Sequence, residues 1–145
     1  MAAVARIVRD RGSVRYALPP HVTQEIVEHP QAVAVPGANR HALGLMAWQG
    51  TRLPLIDVAV RLGACAPRSG APRYALVVAV QPAPGAPIEH AAIALDALPE
   101  TVAVDDAAAC EIPASDAWHS VAISCFLHDG VPVPIVDTAK VVITA

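Results

Sequence analysis

The residues of this 145-residue chain that could do chemistry are two aspartates, one cysteine and six histidines. Asp57 and Asp137 end two nearly identical phrases, Gly50-Thr-Arg-Leu-Pro-Leu-Ile-Asp57 and Gly130-Val-Pro-Val-Pro-Ile-Val-Asp137, which stand 80 positions apart. Brought together, they could form a carboxylate pair for proton transfer or for a metal ion. Each also stands where an acceptor side chain starts a helix, and a cap in each copy explains both more simply. Cys125, with Ser124 and His119 or His128, could be a thiol nucleophile with its base. It lies within an apolar run, however, where a buried structural cysteine is the commoner case. His21, His29, His41, His90, His119 and His128 show no i, i+4 pair and no C-x-x-C context, so no metal site is expected and exposed loop positions are. Gly12, Gly37 and Gly44 stand alone, outside any phosphate-cradling pattern. The expectation is no enzyme and no cofactor.

The elements that carry these residues are short. Fourteen prolines are spread along the chain, and each costs about 3 kcal/mol inside a helix. Long helices are therefore excluded. Apolar runs rich in β-branched residues alternate with Pro, Gly and Asp, which is the pattern of a β-sandwich or small barrels. Strands are expected at 14–18, 24–28, 33–35, 52–56, 73–80, 88–95, 101–104, 121–127 and 131–136. Two short helices are expected, Asp57 to Gly63 and Asp137 to Val142, each begun by its Asp. The Pro inside each repeated phrase cannot donate a ladder bond, so it belongs at an edge or a bulge. Two copies of a strand ending in an Asp-capped turn imply two small barrel-like lobes packed together. A weaker echo, Arg15-Tyr-Ala-Leu18 against Arg73-Tyr-Ala-Leu76, points the same way, though chance can also produce it. The Pro/Gly/Ala-rich stretch 63–72 is the best break in a single domain spanning residues 1–145.

Composition narrows the function. Hydrophobic residues make up 54% and charged residues 16%, which excludes a disordered chain. The apolar surplus is more than one small core needs, so either some of it forms a surface contact patch or Ala-rich composition inflates it. Net charge is −3, with no basic footprint for nucleic acid. No run of about 18 apolar residues could cross a membrane, and the N-terminal residues carry no secretory pattern. Cys65, Cys110 and Cys125 have no close spacing and read as reduced thiols of a cytoplasmic protein.

In order, Tyr16-Ala-Leu-Pro19, Val22-x-x-Glu25-Ile26, Pro36, Leu43-Gly44-Leu45 with Gly50, and Leu53-Pro-Leu-Ile-Asp57 resemble the pattern of CheW-like domains. Leu95-Asp96-Ala-Leu, the segment from Val102 to Asp106 and Val133-Pro-Ile-Val-Asp137 continue the resemblance, which runs from about residue 4 to 142. The segment from Trp118 to Phe126 looks like the variant of type IV pilus chemosensory systems (PilI- or ChpC-like). The resemblance implies an all-β fold of two five-stranded SH3-like barrels and a non-enzymatic adaptor. Its partners would be the regulatory domain of a CheA-type histidine kinase and the cytoplasmic tip of chemoreceptors, reached without membrane insertion. The protein would then sit in the cytoplasm at membrane-associated receptor arrays and serve chemotaxis or pilus-driven twitching motility. Contact residues carried over are Glu25 and the turn Trp48-Gln49-Gly50, with Arg52 one step beyond. Here the chain departs from the family: Ala47 and Gln49 replace the usual Asn and Arg of that turn. Gln cannot supply an Arg's bidentate, charge-assisted bonds, while Trp48 brings a large apolar face that is either an interface anchor or core. A barrel binding a small molecule or an oligonucleotide is the alternative; two Trp, two Tyr and one Phe with a negative balance favour it little.

Overall fold

Residues 3–143 are described by the computed structural model. In chain order they form β1 (Ala3–Arg9), β2 (Arg15–Leu18), β3 (Thr23–Glu28), β4 (Ala32–Val33), β5 (Ala42–Trp48) and β6 (Thr51–Ile56). Then follow α1 (Val58–Arg61), β7 (Tyr74–Val80), β8 (Glu89–Leu95), β9 (Glu100–Val104), α2 (Asp116–Val121), β10 (Ala122–His128), β11 (Val131–Val136) and α3 (Thr138–Ile143). The strands make two sheets, one ordered β10-β11-β2-β1-β9 and the other β3-β7-β8-β6-β5-β4. The all-β, two-lobed expectation is what the chain adopts.

The two repeated phrases do the same local work. Gln49 and Gly50 have φ of +46° and +75°, and Asp129 and Gly130 have +52° and +75°. Trp48 faces Thr51 and His128 faces Val131 across these two-residue loops. Two consecutive positive φ values make a type I′ turn, whose twist matches that of the strands it joins. Each phrase then runs along a strand to its Asp. The Asp57 carboxylate accepts from the Val60 N–H at 3.3 Å, and that of Asp137 from the Ala139 N–H at 2.9 Å. Both act as the expected caps of α1 and α3.

The equivalence extends to the partners. β6 pairs in parallel with β8, Leu55 beside Ala92, and β11 pairs in parallel with β2, Ile135 beside Ala17. Val77 stands between Ala92 and Glu25, and Ile7 between Ala17 and Glu100. The β1–β2 hairpin therefore corresponds to β7–β8, and β3 to β9. Each half of the chain supplies a hairpin to one lobe and its remaining strands to the other. The chain crosses between sheets at 19–22 and again at 96–99, while 63–72, the expected break, joins α1 to β7 within the six-stranded sheet. The weaker echo does not survive. Its copies lie on β2 and β7, which are not equivalent strands, so that match is compositional.

Several local expectations need correction. β1 and β5 are strands that the list of apolar runs omitted. Polar or small residues interrupt their apolar pattern, and burial between neighbouring strands, not local propensity, holds them extended. α2 occupies the residues before the expected 121–127 strand. Pro54 lies in an interior strand, but the described pairing with β8 begins only at Leu55, so its missing N–H costs no bond on that side. His41 is buried, and His90 and His128 are half-buried on strands, so only His21, His29 and His119 fit the exposed expectation.

Strand alternation sorts the apolar side chains into three clusters. In β7, Leu76, Val78 and Val80 point into one cluster and Ala75 and Val77 into another. In β2, Tyr16 and Leu18 join the first, whereas Ala17 faces a third with Ile7, Phe126 and Val133. The first cluster takes side chains from both sheets and from all three helices' neighbourhood, through Val58, Val121 and Val141, so it is the core between the lobes. The apolar surplus in the composition is spent largely here. Part of it is also exposed, at Val33, Ile88, Leu98 and Ile123 among others.

Gly44 sits at the β-bulge of β5 with φ +141°, and a Cβ there would lie 2.3 Å from the Val33 carbonyl oxygen. Backbone strain and that overlap together predict that Gly44→Ala lowers stability by about 2–5 kcal/mol. Gly37→Ala, at φ +79° with open space around it, loses only about 1 kcal/mol. Urea unfolding followed by Trp48 and Trp118 fluorescence checks the contrast.

Candidate functional site

The expected contact residues fall on two places of the six-stranded sheet. Glu25 is exposed on β3, an edge strand, beside a small cleft of about 170 Å³ that Arg6 and Leu76 also line. Gln49 and Gly50 form the exposed tip of the β5–β6 hairpin, with Arg52 exposed next to it. Trp48 is half-buried. One part of it packs on the lobe's own cluster, which includes Met46 and Leu53, and its ring meets the His90 ring at 5.0 Å, tilted by 46°. The open alternatives for Trp48, surface or core, thus resolve to both. Its Nε1–H is buried with no hydrogen-bond partner among the described residues. Arg52 lines a cleft of about 430 Å³ with Pro54, Ile88 and His90, so the hairpin belongs to one surface and Glu25 to another.

His90 and Ile88 continue that surface into a cleft of about 690 Å³. It opens where the chain crosses between lobes. Pro19 and Val22 come from the crossing, Gln24 from the start of β3, Ala79 and Gln81 from β7 and its end, and Ile123, Val136 and Thr138 from the other lobe. Its floor is fixed by the Thr138 hydroxyl donating to the Ala79 carbonyl at 2.9 Å, a bond between lobes. Ile88 is 63% exposed and Ile123 58% exposed on its walls. Neither was singled out from the sequence, because a lone exposed isoleucine in an apolar run carries no signal until a second lobe brings its counterpart near.

Opposite demands meet at Asp57. Its side chain is fully buried, and its Oδ2 receives the Arg11 guanidinium and the Arg68 Nε–H, the latter at 2.9 Å. Arg68 also donates to Asp96 at 2.7 Å, and Arg11 to the Ala66 carbonyl at 3.2 Å. Arg11 lies in the β1–β2 turn of one lobe and Asp57 at the end of β6 in the other, so the cluster clamps the lobes beside their shared core. The Arg68 hydrogen bond lowers the Asp96 carboxyl below its ordinary value. Burial raises Asp10, despite the bond its side chain accepts from the Arg11 N–H. Burial, then the charges of Asp10 and Asp57, raise the Tyr16 phenol well above its ordinary range, so it stays neutral. Asp57 is therefore committed to holding structure, and Asp137, its equivalent, stands in the other lobe at the edge of the 690 Å³ cleft.

The Cys125 sulfur, buried on β10, has Cys110 Sγ as its neighbour at 3.2 Å, rather than an imidazole. Burial, then the contact with Cys110, pushes the Cys125 thiol up to about 12. A thiol held protonated is a poor nucleophile near neutral pH. Among the described residues, no three His, Cys, Asp or Glu side chains are grouped to hold a metal ion, and no helix is long and apolar enough to cross a membrane.

The arrangement has a known counterpart. Residues 7–144 match the CheW-like domain. The crystal structure of the scaffolding protein TtCheW from Thermoanaerobacter tengcongensis superposes with a TM-score of 0.78 at 17% identity, over 97% of this chain and 92% of that one. No individual curated protein matches in sequence at a significant level. The chain belongs to the CheW-like domain family, and its lobes are the two SH3-like lobes of that fold.

Two outcomes are expected from the ionic clamp. Asp57→Asn strands two arginines at a buried site and costs about 3–5 kcal/mol, read from urea midpoints at neutral pH. The folded-state pKa of Asp96 is lowered, so its stabilisation is complete above its unfolded value of about 3.9 and is lost as pH falls through the folded value. Asp10 has the opposite sign and favours the fold as it protonates. Asp96 is exposed, so Asp96→Asn removes less than about 1 kcal/mol near pH 6, and the difference from the parent chain narrows in urea midpoints as pH falls below the unfolded value.

Proposed function

We propose that this CheW-like domain is a non-enzymatic signalling adaptor that joins a CheA-type histidine kinase to the cytoplasmic tip of a chemoreceptor. The observation that carries the reading is the continuous surface from the β5–β6 hairpin through Trp48, His90 and Ile88 into the cleft between the lobes. It is an apolar surface with a charged rim, and it is built on strands locked by the shared core. Such a surface suits docking of a rigid partner by packing, with Trp48 as an anchor and Arg52 as a polar border. Glu25, on the far edge strand, lies on a separate face, which lets two partners bind the same domain at once. Through its receptor the domain would reside at membrane-associated arrays. The likeness of Trp118 to Phe126 to the type IV pilus variant favours pilus-driven movement as the output.

The turn defines the departure from relatives. In the type I′ geometry residue 49 has positive φ and its side chain projects from the tip, so Gln49 offers hydrogen bonds but no charge where relatives carry Arg. Gln49→Arg is expected to tighten binding of the kinase regulatory domain about tenfold, roughly 1.4 kcal/mol. Arg52→Glu, at an exposed position, should weaken binding by a similar factor without changing the urea midpoint, and Trp48→Ala by more. Calorimetric titration measures all three. Absence of binding at high micromolar concentration sinks the kinase partnership, and an unchanged affinity for Gln49→Arg assigns the turn to another partner.

A further inference from the structure

We propose that Cys110 and Cys125 are a reversible disulfide site, closed by exchange with a low-molecular-weight disulfide such as oxidised glutathione. Spacing alone hides the pair, since the two residues stand fifteen apart without a motif. The fold puts them in register. An antiparallel bridge joins Ala109 to Phe126, which sets Cys110 opposite Cys125, and the Cys110 N–H donates to the Cys125 carbonyl at 3.0 Å. Directly opposite residues of an antiparallel pair have Cα atoms about 4.5–5.5 Å apart, inside the range that a disulfide spans. The sulfurs already touch at 3.2 Å, and a bond needs them to close to about 2.05 Å. Both are free thiols in this structure.

The two cysteines differ in access, which assigns their parts. Cys110 is half-buried at the surface and Cys125 is 5% exposed under it. The Cys110 thiolate attacks one sulfur of the small disulfide, forming a mixed disulfide and expelling one small thiolate. Cys125 then attacks Cys110 Sγ, the protein disulfide forms, and the second small thiolate leaves with the proton that Cys125 gives up. Two protein thiols are oxidised by two electrons and one small disulfide becomes two thiols. The bond would pin the segment that leads from β9 toward α2 onto β10, the edge strand of the five-stranded sheet. Exposed disulfides are the more readily reduced ones, and the half-buried Cys110 gives this bond its access to solvent.

The test incubates the full chain with oxidised glutathione, quenches it with acid, alkylates the remaining thiols, and reads intact mass and peptide maps. The expected product has lost two hydrogens, carries a 110–125 link, and forms equally in Cys65→Ser. In Cys125→Ser, glutathione stays on Cys110; in Cys110→Ser, no link forms. Ring closure should quicken as pH rises from 7 to 9, because the attack on Cys110 Sγ is made by the Cys125 thiolate. A parent chain that keeps glutathione on Cys110 without closing, or that reacts only at Cys65, overturns the proposal. The parent measurement decides it even if a variant fails to fold.

Discussion

The apolar core between the lobes is the constraint on which the rest depends. Tyr16, Leu18, Leu76, Val78, Ile93 and Val136 reach it from both sheets, and all are essentially without solvent exposure. Burying a side chain of that size is worth about 1.5–3 kcal/mol, so this cluster, larger than either lobe's own, dominates the balance. Neither sheet can keep it without the other. Small residues make this possible: Ala17, Ala75, Ala92 and Ala94 line the opposite faces of the same strands and let each lobe close on a thin interior of its own.

The exchange of hairpins between halves follows from that constraint. β2 has β1 on one side and β11 on the other, so the N-terminal hairpin closes the lobe built from the C-terminal strands. Folding therefore requires pairing across nearly the whole chain, which is slow compared with local hairpin formation. The Asp57 cluster adds direction to the apolar contact. A hydrophobic interface can slide, but an aspartate held by Arg11 from one lobe and Arg68 from the loop after α1 fixes one arrangement. The candidate surface gains from this rigidity. Trp48 and His90 sit on strands whose inner faces are core, with Ile88 just before β8, and the cleft with Ile123 exists only because the lobes are held at one separation.

Much of the local architecture was legible. Xaa-Gly turns, strand runs ending in Asp, and short capped helices are written in neighbouring residues, and both copies formed as expected. β1 and β5 were missed because their residues are held extended by neighbours on both sides, not by their own propensity. The Arg15 and Arg73 echo misled because four residues of common type recur by composition alone. Of the expected contact residues, Trp48, Gln49, Gly50 and Arg52 are neighbours in the chain and so share one hairpin, while only the fold shows that Glu25 borders another cleft. His90, Ile88 and Ile123 had no signal, since each is ordinary until the fold juxtaposes them.

The sequence by itself determined the class of fold, its doubling, the two turns and the two caps, because hydrogen bonds within a few residues decide those features. It also excluded long helices through its prolines. Tertiary structure alone decided which hairpin completes which lobe, which arginines neutralise Asp57, where the cleft opens, and that Cys110 meets Cys125. Those are contacts between residues far apart in the chain. No periodicity or spacing encodes them, and they are selected only when burial of the shared core has chosen a single way for the halves to interlock.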